Sequence, residues 1–248
     1  MKLKVLDSSS KGNCYLIESP TGSLLLECGL PWREIQKGLN FDLSNVVGCL
    51  VTHEHKDHSK AACDVMKCGI DAYMSAGTAK ALSAYGLYYR LHVIGAGIQF
   101  KLRDFIIMPF DTEHDAYEPL GFLIQYHPTD FKTLFLTDSY YCKYKFSGLN
   151  AILIECNYIK EALDANIAAG LIDERMKPRL LKSHFSLEHV IQFLKANDLS
   201  QVREIILLHL SSQNSDAARM IKEIKEATGI MPKIAQPGLS VELELYPY

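Results

Sequence analysis

The sequence predicts an α/β protein in which two sheets pack together with helices outside, and three observations carry that reading. Strand-like runs dominate the first half: LKVLD, CYLIES, SLLLECG, VVGCLVT, LHVIG, GIQFKL, DFIIMPF, LGFLIQY and KTLFLTD. Gly, Pro, Asn and Asp punctuate them, the turn chemistry that hairpin-joined strands require. Helical periodicity, with apolar residues recurring at three and four, runs through PWREIQKGL, SKAACDVMK, TAKALSAYG and residues 157–169. It returns at SLEHVIQFLKAND and SDAARMIKEIKEATG, with the buried strand EIILLHL between them. No low-complexity linker or short repeat divides the chain, so one domain over residues 1–248 is expected.

Composition narrows the setting. Hydrophobic residues make up 48%, enough for a sizeable core. No apolar run approaches the roughly 18–20 residues of a membrane span, and MKLKVLDSSS lacks the apolar core of a signal peptide. A soluble, cytoplasmic protein is expected. The seven cysteines are odd in number, lie mostly in apolar runs and form no CxxC pair, so buried thiols are expected rather than disulfides or a thiolate zinc site. Net charge is −3, and the basic clusters KYK (143–145) and ERMKPRLLK (174–182) are short or sparse. That argues against extended duplex binding and leaves a local basic groove open.

Ligand-type residues gather where strands end. VVGCLVT delivers His53, His55, Asp57 and His58, and DFIIMPFDTEH delivers His114. KTLFLTD delivers Asp138, NAILIEC delivers Glu155, and EIILLHL delivers His209. His53 and His55 are two apart, so in extended chain they point the same way. In layered α/β folds, sites gather outside the carboxyl ends of strands. Imidazoles and carboxylates suit Zn²⁺, with Mn²⁺ as an alternative. Singly, His114 or His209 reads as a structural histidine, Asp138 as a turn or helix cap, and HEHKDH as a solvated turn. Jointly, five histidines and two aspartates match two metals sharing a bridging carboxylate.

These residues resemble the metallo-β-lactamase-fold hydrolases, whose H-x-H-x-D-H stands here as His53, His55, Asp57 and His58. The resemblance implies a four-layer αββα metallo-β-lactamase sandwich carrying two Zn²⁺ per chain. It implies that His53, His55 and His114 hold one ion and Asp57, His58 and His209 the other, with Asp138 bridging. Two stretches resemble the RNase Z branch: ILIECN (152–157) its apolar-HEAT segment, and KSHFSLEHV (182–190) its HST segment. Carried over, Glu155 orients His184, which protonates the leaving oxygen, and the catalytic set is Asp57, Glu155 and His184.

The chain lacks RNase Z's long tRNA-gripping insertion. It is similar to compact phosphodiesterases, the WalJ/YycJ-like exonucleases and the phage anti-Pycsar proteins, with which it shares S-x-S-K-G-N-C. Ser9 and Glu27 stand where that group usually has Gly and Asp. The resemblance implies a homodimer that hydrolyses cyclic mononucleotides as a phage counter-defence, with metal-dependent DNA exonuclease activity, and so duplex binding, as the alternative. A thioesterase or lactonase needs no acid of His184's type, and a non-catalytic module would have lost ligands. Tyr85, Tyr88, Tyr89 and Tyr117 are candidates for stacking on a base, packing being the alternative fate of each.

Overall fold

A computed structural model describes residues 1–87 and 89–245. The chain divides into two compact units, one of Met1–Asp111, Ala116–Phe131 and Ala235–Tyr248, the other of Thr112–Asp115 and Lys132–Ile234. The first unit runs β1 (Lys2–Ser9), β2 (Gly12–Ser19), β3 (Gly22–Leu26), α1 (Trp32–Gly38), β4 (Val46–Leu50), α2 (Lys56–Ser59) and α3 (Ala62–Lys67). It continues through β5 (Ala72–Met74), α4 (Ala76–Ala81), β6 (Leu91–Val93), β7 (Phe100–Leu102), β8 (Phe105–Asp111) and β9 (Leu120–Tyr126). Next come β10 (Phe131–Leu136), β11 (Ala151–Glu155), α5 (Lys160–Ala168), α6 (Lys177–Ser183), α7 (Leu187–Ala196), β12 (Glu204–Leu208), α8 (Ala217–Thr228) and β13 (Lys233–Ile234). The last strand, β14 (Ser240–Glu242), returns to the first unit.

The strands fall into two sheets of seven among the described residues, as the α/β expectation requires. The first sheet, ordered β14-β1-β2-β3-β4-β5-β6, lies wholly in the first unit. Its core is aliphatic and thiol: Cys14, Leu16, Leu25, Cys28, Cys49 and Val51 are buried against Ile35 of α1 and Val65 and Met66 of α3. Every cysteine is a free thiol, four of them buried. The same unit holds the antiparallel ladder β7-β8-β9.

In the second unit β10, β11, β12 and β13 pair in parallel. Parallel strands covered on both faces read as continuous apolar runs, and AILIE of β11 is buried at every position. Ser186 accepts from His189 N–H to cap α7, which buries Leu187, Val190, Phe193 and Leu194. Asp216 caps α8, and Gly229 ends it in the left-handed conformation at φ 77°.

Three readings of the elements need correction. Hairpin joining holds for β1-β2-β3 and β7-β8-β9, but β3 to β6 are parallel neighbours, as are β10 to β13. Parallel neighbours need crossovers rather than tight turns. The strands AYM, KI and SVE escape the pattern because two or three residues show no period. Residues 177–183 form α6, where only a basic cluster was read. No helix is long and apolar enough to cross a membrane among the described residues.

Candidate metal centre

The chain leaves β4 extended and then makes one helical turn. His55 sits at the helix entry at φ −58° and ψ 143°, and its carbonyl accepts from His58 N–H at 2.9 Å. The extended stretch sets His53 and His55 on one side, with ring centroids 4.6 Å apart, and the turn brings the His58 ring to 4.3 Å from that of His53. Asp57, on the same turn, keeps its carboxylate partly exposed. Thus the first unit assembles all four residues of H-x-H-x-D-H.

Their rings are held from behind. Thr52 Oγ1 hydrogen-bonds His53 Nδ1 at 2.9 Å. Asn13 Nδ2 donates to His58 Nε2 at 3.2 Å, which places the ring proton on Nδ1, 3.7 Å from Glu27 Oε2. Glu27 is fully buried at φ 62°, in the left-handed region, and accepts from Thr52 N–H at 3.2 Å. Burial pushes its carboxyl up, while the neighbouring His58 imidazole pulls it back. A carboxylate behind a ligating imidazole fixes tautomer and orientation. The sequence marked Glu27 only as a departure from Asp. Its place at the end of β3 was the signal, and its partner was out of reach.

In the second unit the loops after the strands carry the remaining candidates. Asp138, two residues past β10, and His209, just past β12, both sit in left-handed backbone at φ 38° and φ 52°. Such strain in non-glycine residues concentrates at functional sites. His209 Nδ1 donates to Asp138 Oδ1 at 2.8 Å and lies 3.3 Å from Glu155 Oε1. Burial opposes charge on that ring, yet the two carboxylates outweigh it and push its pKa up to about 10. His114 Nδ1 donates to the Ser183 carbonyl at 2.7 Å, leaving Nε2 as the lone-pair nitrogen, 3.6 Å from Asp138 Oδ2. Desolvation holds His114 below its ordinary pKa, hence neutral.

Glu155 organises this half. It ends β11 fully buried, and its carboxylate accepts from His184 Nδ1 at 2.6 Å, Phe185 N–H at 3.0 Å and Ser139 N–H at 3.2 Å. Burial and the Asp138 charge raise its pKa, but the His184 charge and the hydrogen bonds from His184 and His209 prevail and hold it below the ordinary carboxylate value. His184 is held above the ordinary imidazole range: burial opposes the charge, and Glu155 supplies it. Asp138, Glu155, His184 and His209 each offer a ligand-type atom, all within 4.8 Å of one another, so this cluster is able to hold a metal ion. Of the tyrosines proposed to stack, Tyr89 and Tyr117 are exposed. Tyr88 and the side chain of Tyr85 lie outside what is described.

Comparison with known proteins places the chain in a family and a fold. The model of the β-lactamase superfamily domain matches residues 24–210. The chain is 27% identical to exodeoxyribonuclease WalJ of Streptococcus pneumoniae serotype 2, over 100% of this chain and 93% of that one. It is 26% identical to exodeoxyribonuclease YycJ of Bacillus anthracis, over 92% and 90%. Among solved structures, Zn²⁺-bound PqqB from Methylobacterium extorquens superposes with a TM-score of 0.74 at 13% identity, over 98% of this chain and 100% of that one.

Proposed function

The chain belongs to the β-lactamase superfamily, and from that premise we propose that it is a two-metal phosphodiesterase acting on nucleotides. The donor set fits zinc: imidazoles with carboxylates, of which His53, His114 and His209 are each backed by a hydrogen bond through Nδ1. His53, His55 and His114 would hold one ion, Asp57, His58 and His209 the other, and Asp138 would bridge. When bound, the ions supply a hydroxide at neutral pH and neutralise charge building at phosphorus.

The observation that carries the reading is the Glu155–His184 pair. A thioester releases a thiolate, which departs without an acid poised beside the ligands, whereas an alkoxide leaving from phosphorus needs one. Glu155 holds His184 through Nδ1 at 2.6 Å, so Nε2–H is the proton to deliver to the departing ribose oxygen. Asp57, on the H-x-H-x-D-H turn, serves as ligand and completes the catalytic set.

Two substrates fit this chemistry. Cyclic mononucleotides suit a chain with net charge −3 and no long basic run, and a phage counter-defence role would follow. DNA ends are favoured by the full-length likeness to WalJ. A panel of cyclic CMP, UMP, AMP and GMP beside linear duplex and single-stranded DNA separates them. Turnover of cyclic nucleotides alone establishes the first, turnover of DNA alone the second, and hydrolysis of neither overturns the proposal. Homodimer formation is part of the same proposal, and a fully active monomer by light scattering would remove it.

A further inference from the structure

Strands β11 and β12 stay paired as far as Cys156, whose N–H donates to the Leu208 carbonyl at 3.0 Å. The next residue, His209, bends into left-handed backbone at φ 52°. In a regular strand consecutive carbonyls point to opposite neighbours. Here the bend turns the His209 carbonyl back to the β11 side, where it accepts from Asn157 Nδ2 at 2.9 Å. The backbone of Asn157 is engaged as well. Its N–H donates to the Phe185 carbonyl at 3.0 Å, and its carbonyl accepts from Ser211 N–H at 2.8 Å. Asn157 is buried, and it joins three segments that each carry a residue of the candidate site. Glu155 lies two residues before it, His184 directly precedes Phe185, and His209 stands two residues before Ser211.

One of these bonds depends on the side chain. Any residue except proline supplies the backbone N–H, and every residue supplies the carbonyl. The third bond needs a short, neutral side chain with a donor two bonds beyond Cβ, which asparagine provides. Leucine has the same branching without a donor, and alanine leaves the carbonyl without this partner. The loop after β12 has other anchors to keep its course. Asn166 Nδ2 donates to the Gln213 carbonyl and to Asn214 Oδ1, both at 2.9 Å, and Ile159 N–H donates to the Asn214 carbonyl at 2.9 Å. What the Asn157 amide adds is a hold on the His209 carbonyl, whose carbon is one bond from the Cα that carries the ring. A non-glycine residue in left-handed backbone persists only where its surroundings over-determine it.

We propose that Asn157 is a positioning residue of the metal centre: its side-chain amide holds the His209 backbone in the left-handed conformation that aims the ring at its ion. The inference rests on the ligand role proposed for His209 and adds the residue that sets that ligand's direction.

The test uses the full chain and its zinc affinity, read by competition with a chelating dye. Asn157→Ala, Asn157→Leu, Asn166→Ala and His209→Ala are compared, each checked for a cooperative melting transition. His209→Ala identifies the ion that His209 binds, because that ion is weakened or lost. Partners that orient a ligand are worth about 10–100-fold in metal affinity. Both Asn157 variants should weaken that same ion by about this factor and leave the other at wild-type affinity; one that does not fold leaves the other to decide. Asn166→Ala removes two hydrogen bonds from the same loop and should leave both ions unchanged. Cobalt(II) in place of zinc has a visible spectrum set by its ligand geometry, and Asn157→Leu should alter that spectrum where Asn166→Ala does not. Wild-type affinity for both ions in the Asn157 variants, with one ion lost in His209→Ala, overturns the inference and leaves the ligand set standing. Equal weakening by Asn166→Ala also overturns it, since any loosening of the loop would then suffice. If His209→Ala keeps both ions at wild-type affinity, His209 is no ligand, and the ligand set falls together with the inference.

Discussion

Glu155 shows how much one side chain can settle. A buried carboxylate is costly unless it is hydrogen-bonded, and this one accepts from two backbone N–H groups as well as from His184. Its charge is therefore stabilised, and it pushes the pKa of the imidazole it holds upward against burial. His184→Ala should lower turnover of a natural nucleotide by about 10²–10⁴, while bis-p-nitrophenyl phosphate, whose leaving group departs without a proton, should suffer far less. Glu155→Gln should give a milder version of the same split, and equal losses on both substrates would reassign His184 to phosphate binding. Glu27 has the corresponding place behind His58. Glu27→Ala should weaken metal affinity by about 10–100-fold, measured by competition with a chelating dye; unchanged affinity would make it a packing residue. The ligand types and the Glu155–His184 pair were legible in the sequence because they form a pattern. Asn13, Thr52 and Glu27 were not, because a residue that orients another is recognised only by what it touches.

Strands deliver these side chains, and loop backbone fixes where they point. Asp138 and His209 leave parallel strands on either side of β11, each bent into left-handed backbone within two residues of its strand. In the first unit the segment after β3 ties the H-x-H-x-D-H turn to β2: Cys28 N–H donates to the His58 carbonyl at 2.8 Å, and Gly29 N–H to the Asn13 carbonyl at 2.9 Å. Gly29 is required there because a Cβ built on it overlaps the backbone of Asp57 and His58. Gly29→Ala should cost about 1–3 kcal/mol and should lower the melting temperature and the metal content together. A variant with wild-type metal content would show that the turn can give way. Strand ends could be read in advance because long apolar runs stop abruptly. Helix α6 could not, since Ser183 is its one buried residue and it presents no apolar stripe to find.

For the molecule as a whole, the decisive coupling is between metal, protons and stability. Without metal, His209 is a buried cation between two carboxylates, with its pKa pushed up to about 10 from an unfolded value near 6.5. Its contribution to stability is full below about pH 6.5 and is lost as pH rises through about 10. An imidazole ligates a metal as its neutral form, so in the ligand role proposed for His209 loading expels that proton, and affinity should climb with pH across the same window. Calorimetric titration with Zn²⁺ in buffers of different ionisation heat should show proton release near neutral pH. Because the proposed ligands come from segments spread over residues 53–209, binding should also stabilise the chain by mass action and raise its melting temperature. Asp138→Ala should abolish both the proton release and the temperature shift, since it removes the carboxylate proposed to bridge and one of the two groups that keep His209 charged. Zinc uptake with no proton release would mean that His209 is not a ligand. A melting temperature that zinc raises equally in Asp138→Ala would place the ion elsewhere in the chain.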